Sequence, residues 1–107
     1  MVAKVGGANE MNNLKDAIED YIHFIKVERQ LSENTLLSYK RDLVAYARHL
    51  NSEQKITTFN DVTRENILLY LDSIRAVGKS SKTISRQISS IRSFHQFLLR
   101  EKLNKQS

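Results

Sequence analysis

The sequence predicts an all-α fold, a compact bundle of four principal helices. Three observations carry this. Apolar residues recur at spacings of three and four along most of the chain. No stretch alternates polar and apolar residues as a half-buried strand would. No proline occurs anywhere in the 107 residues, so nothing breaks the periodic stretches from within.

The elements follow in order. Residues 1–13 read as a disordered N-terminal segment: small residues, Gly6-Gly7 and no periodicity. Met11 is a candidate natural start, with the residues before it added. Helix one is expected from Leu14 to Arg29 on the stripe Leu14, Ile18, Tyr21, Ile22 and Ile25. Asp16, Glu19 and Asp20 suit the positive end of its dipole and make its outer face acidic. Helix two is expected from Glu33 to Leu50, with Ser32 as N-cap and Leu31 packing back on the first turn. Its buried stripe is Leu36, Tyr39, Leu43, Tyr46, Ala47 and Leu50. The opposite face carries Asn34, Ser38, Arg41, Ala45 and Arg48.

Asn51 to Val62 reads as a polar loop. Thr63 caps a third helix from Arg64 to Arg75, facing inward through Ile67, Leu68, Leu71 and Ile74 and stopped by Val77-Gly78. Helix four starts after Ser80-Ser81 and runs to Leu103. Its expected core stripe is Ile84, Ile88, Ile91, His95 and Leu98, with Phe94 at the margin and Phe97 pointing away from the stripe, either covered by a loop or helix-one residues or meeting another protomer. Residues 14–103 thus form one helical domain, and 104–107 a disordered tail.

Charge is placed unevenly. The formal net charge is +5. Residues 77–107 hold seven lysines and arginines against one acid, Glu101, whereas residues 1–76 hold ten against eleven acids. A basic element on a near-neutral body points to a polyanionic partner. There is no cysteine, hence no disulfide and no thiolate metal site. The apolar runs are too short to span a membrane. A cytoplasmic, nucleoid-associated location is expected.

The stretch "GKSSKTISRQISSIRSFHQF" (78–97) holds six serines, although serine is a mediocre helix former. Lys82, Arg86, Ser89 and Ser93 share the face away from the expected core. Short side chains let a helix backbone approach a DNA groove closely, hydroxyls donate to phosphate oxygens, and Lys and Arg supply charge. Gly78-Lys79-Ser80-Ser81 adds free N–H groups at the start of a helix, beside a lysine, as a phosphate seat. Helix two offers a matching face in Asn34, Ser38, Arg41 and Arg48. Arg86 is expected to serve this face alone, without structural duty. The competing class is a helical protein-interaction module whose basic helix four docks an acidic partner. A helix-turn-helix repressor fits less well, because helices two and three are not joined by a tight turn.

Three segments, "LSENTLLSYKRDLVAY" (31–46), "FNDVTRENILLYL" (59–71) and "GKSSKTISRQISSIRSFHQFLLREK" (78–102), resemble the N-terminal, core-binding domain of tyrosine site-specific recombinases, nearest to the XerD branch of Xer-type enzymes. The resemblance implies a SAM-like four-helix bundle, forming one half of a clamp around a recombination half-site of double-stranded DNA. It also implies that helices two and four cross the major groove. On that basis Thr35, Ser38 and Arg41 fall on the helix-two contact surface. Lys79, Ser80, Ser81, Lys82, Thr83, Arg86 and Ser89 fall on the loop and helix-four surface. The implied biology is chromosome dimer resolution at cell division, or integration of a mobile element, with other recombinase protomers as partners and the isolated domain monomeric.

No catalytic centre is expected in this chain. The family's His-x-x-Arg signature is absent, since His23, His49 and His95 are followed three residues later by Lys26, Ser52 and Leu98. Tyr21, Tyr39, Tyr46 and Tyr70 sit on apolar faces and read as core aromatics with hydroxyls at the rim. His95 reads as a packed, hydrogen-bonded histidine. No cofactor or metal is implied.

Overall fold

The computed structural model describes the backbone of residues 2–106 and the side chains of residues 11–103; residues 1 and 107 lie outside what it describes. Among the described residues there are four α-helices, α1 (Val2–Arg29), α2 (Glu33–Gln54), α3 (Arg64–Ala76) and α4 (Ser81–Gln106), with a 3-10 turn at Phe59–Asp61 and no strand. The all-α reading holds.

Helix starts obey local chemistry. Ser32 Oγ accepts the Thr35 N–H at 3.3 Å. Thr63 and Asn66 form a reciprocal capping box, in which Asn66 Oδ1 accepts the Thr63 N–H at 2.6 Å. Gln30 ends α1 and Lys55 ends α2 in the left-handed region, at φ 50° and 59°. Gly78 follows α3 at φ 90°, a conformation glycine adopts without strain.

Three boundaries differ from the sequence reading. Helical backbone starts at Val2 rather than Leu14, and Met11, half-buried on the core, carries the stripe of Leu14 and Ile18 one turn back. At the other end α4 continues past Leu103 to Gln106. Helix α2 runs four residues beyond Leu50, until Lys55 turns the chain and Asn51 Nδ2 donates to the Ile56 carbonyl at 3.2 Å.

The core differs in a more consequential way. Ile56 and Phe59, from the segment read as a polar loop, are buried. On α4 the buried residues are Ile84, Gln87, Ser90, Ile91, Phe94 and Phe97, whereas Ile88, His95 and Leu98 are only half-buried. At about 100° per residue, α4 is turned roughly 70° from the expected stripe. The cause is an aromatic cluster. Phe94 meets Phe59 edge-on at 4.8 Å and Tyr21 at 5.4 Å, and Phe97 packs on Phe24 at 5.0 Å. Rings of this size bury more apolar surface than the isoleucines they displace. Phe97 is therefore core, covered by the helix-one residues Tyr21 and Phe24 rather than meeting another protomer. Leu68, expected inward on α3, is instead exposed, and Tyr70 takes the inner position.

Polar groups follow the rings inside. Tyr70 Oη donates to Gln87 Oε1 at 2.7 Å, which accounts for a buried glutamine on α4. Burial pushes the Tyr70 phenol up to about 12. Tyr46 Oη and His95 Nε2 share a hydrogen bond of 2.8 Å, so His95 is the bonded histidine the sequence suggests. Tyr46 and Tyr70 thus bond inside the bundle, not at its rim.

Phe94→Ala should lower the unfolding free energy by about 3–5 kcal/mol, while Ile88→Ala, on a half-buried site, should lose less than about 2 kcal/mol, both read by urea denaturation. Burial also holds the His95 imidazole below its ordinary pKa. The unfolded chain then takes up this proton first. Stability from neutral His95 is complete above the unfolded value of about 6.5 and falls as the pH drops below it, by at most about 1.4 kcal/mol per unit. His95→Gln should flatten that slope in melting curves; a slope equal to wild type would reject this assignment.

Candidate nucleic-acid interface

Helices α2 and α4 are tied by one ion pair. Arg86 donates through Nε to Asp42 Oδ2 at 2.9 Å and through Nη2 to Asp42 Oδ1 at 3.2 Å. The Asp42 side chain is 9% exposed and that of Arg86 49%. A nearly buried carboxylate is thus neutralised by a guanidinium whose outer edge remains wet. Hydrogen bonding to Asp42 raises the Arg86 pKa and fixes its charge.

The α2 face flanks this bridge. Asn34, Arg41 and Arg48 are exposed, and Ser38, one turn before Asp42, is half-buried. On the α4 side, Lys79, Ser80, Ser81, Lys82 and Ser89 are exposed. Among the described residues, Arg41, Arg48, Lys79 and Lys82 form no ion pair; the three pairs found are Lys40–Glu19, Arg75–Asp72 and Arg86–Asp42. The bridge brings the two helices side by side, and cations without carboxylate partners lie on both.

Several expected site residues have local work. Thr35 Oγ1 accepts from Ser32 Oγ at 3.0 Å, and Thr83 Oγ1 accepts from Ser80 Oγ at 3.1 Å. Both threonines are half-buried within helix caps. Ser80 Oγ also accepts the Thr83 N–H at 3.2 Å, while the Gly78 and Lys79 N–H groups bond back to Arg75 and Ile74 carbonyls. The start of α4 therefore offers fewer open N–H groups than the sequence reading supposes. Ser93 is half-buried and lines the same cleft as Tyr21. Arg86 is not free of structural duty, because it neutralises Asp42. Asp42 itself escaped sequence reasoning: a contact between residues 44 positions apart leaves no local signal.

The arrangement presents charge and hydroxyls. Tyr21, Tyr46 and Tyr70 are buried, and no group of three or more acids or histidines among the described residues is placed to hold a metal. No described helix is long and apolar enough to cross a membrane.

Residues 18–102 match the model of the phage integrase N-terminal SAM-like domain. The chain belongs to that family. Relatives of this SAM-like domain include proteins named tyrosine recombinase XerD. The one from Oceanobacillus iheyensis is 51% identical over 90 residues, covering 84% of this chain and 30% of the relative. That from Halalkalibacterium halodurans is 45% identical over 94 residues, covering 88% and 31%. That from Staphylococcus haemolyticus is 47% identical over 89 residues, covering 83% and 30%. The SAM-like domain thus spans about 30% of the length of these relatives. No solved structure matches it.

Arg86→Ala should lower stability by about 1–2 kcal/mol, since the stranded Asp42 carboxylate is nearly buried but the lost partner is half in solvent. Asp42→Ala should also destabilise, and the double variant should lose less than the sum of the two. Additive losses in urea denaturation would show the pair to be uncoupled.

Proposed function

We propose that this domain is one arm of a tyrosine recombinase clamp, laying the faces of α2 and α4 against a recombination half-site. The observation that carries this reading is the Asp42–Arg86 bridge, which holds two cation-bearing helices together as one surface. Asn34, Arg41, Arg48, Lys79, Ser81, Lys82 and Ser89 form its exposed contact set, with Ser38 half-buried among them. Thr35, Thr83 and Ser80 support it from their caps, and Ser93 lies half-buried beside it. The family match and the recombinase names of the relatives agree with it.

In the whole protein the arm holds and orients DNA while a separate domain breaks and rejoins strands. The process served is chromosome dimer resolution or integration, in the cytoplasm and alongside other protomers. Phosphate contacts from Arg and Lys set position and register, and base reading is left to the short polar side chains. Alone the arm binds weakly and monomerically, with a strong dependence on salt.

Fluorescence anisotropy with a labelled duplex over a salt series tests this. Wild type should bind at low salt, with log K falling against log salt by about 0.9 per phosphate neutralised. Arg41→Gln and Lys82→Gln, both at exposed and unpaired positions, should each reduce that slope by about one and leave the melting temperature unchanged. No binding at low salt would favour the protein-interaction reading.

A further inference from the structure

Between the C-terminal end of α1, the first half of α2 and the middle of α4 lies a cleft of about 110 Å³. Its lining is Tyr21, Arg29, Tyr39, Arg86, Ser89, Ser90 and Ser93. Each of these carries a hydrogen-bond donor, and none carries a carboxylate. The two cations are of different kinds. Arg86 is anchored by Asp42 through Nε and Nη2, which leaves Nη1 uncommitted to that carboxylate. Arg29, the last residue of α1, is exposed and forms no ion pair among the described residues. With Asp42 offsetting Arg86, the neighbourhood carries one net positive charge. Ser90 Oγ lies buried at the cleft with no hydrogen-bond partner. A buried hydroxyl without a partner in a site lined by donors calls for an acceptor.

We infer that this cleft is a seat for a single phosphodiester group of the DNA backbone, with Arg29 supplying its charge and Tyr39, Ser89 and the free edge of Arg86 its hydrogen bonds. The size fits: the cleft holds roughly three to four waters' volume, enough for the two non-bridging oxygens of one phosphate. The charge fits as well, one excess cation for one monoanion. Two of the lining elements are the helices of the proposed interface, and the third, α1, is otherwise acidic on its outer face. The seat would therefore bring α1 into DNA recognition at its final residue alone. It rests on the reading of the α2–α4 face as a DNA surface and adds a specific point of register to it.

The test uses the same 107-residue chain and a labelled mixed-sequence duplex. Arg29→Gln should weaken binding about five- to tenfold near ~0.1 M salt and cut the salt slope by about one, as expected for one lost phosphate contact. Tyr39→Phe should weaken binding severalfold while leaving the slope unchanged, since it removes a donor and no charge. Arg75→Gln, on α3 and paired with Asp72, serves as control and should change neither. If wild type binds and Arg29→Gln keeps both affinity and slope, the seat is wrong and the α2–α4 reading stands. If wild type does not bind the duplex at low salt, both fall.

Discussion

The contact between Asp42 and Arg86 governs how this small bundle presents itself. A carboxylate 9% exposed is costly to keep charged without a partner, and a guanidinium reaching it with two hydrogen bonds relieves that penalty. Because the donor comes from α4 and the acceptor from α2, the pair sets the spacing of the two helices on their solvent side. The hydrophobic contacts beneath do not fix that spacing alone, since apolar packing tolerates small slides that a bidentate pair does not. The pair also leaves half of Arg86 in water. One residue therefore serves both the joint and the surface.

Below that joint, the aromatic cluster decides which way α4 turns. Phe59, Phe94, Tyr21 and Phe97 are linked in that order by edge and tilted contacts, joining α1, α4 and the segment between α2 and α3. Their demand for volume draws Gln87 and Ser90 inward along with Phe94. It leaves Ser81, Ser85 and Ser89 in solvent. The many serines of α4 thus have distinct fates. Ser80 caps the helix, Ser90 lies within the bundle, Ser93 is half-buried beside Tyr21, and the outer three line a surface of short polar groups beside Lys82 and Arg86.

Much of this was legible in the residues. Helix number, the caps at Ser32 and Thr63, and the polar face of α2 follow from spacing and cap chemistry, which are local. The rotation of α4 was not legible. Counting isoleucines favoured the Ile88 side, while the weight of Phe94 and Phe97 depends on partners from α1 and the Phe59–Asp61 turn that no local pattern reveals. The burial of Ile56 and Phe59 was hidden by their polar neighbours. The Asp42–Arg86 pair and Arg29 in the cleft were hidden for the same reason: each acquires its role only when helices distant in sequence meet. The family resemblance rested on residues 31–102 and agrees with the match over residues 18–102.

Asp42 and Arg86 join α2 and α4 into one surface. Amide shift mapping by NMR during titration with a DNA duplex tests it most directly. Asn34, Ser38 and Arg41 on α2 should move together with Lys82, Ser85 and Ser89 on α4, along one common binding curve. Shifts confined to one of the two helices, or centred on the exposed face of α3, would contradict it.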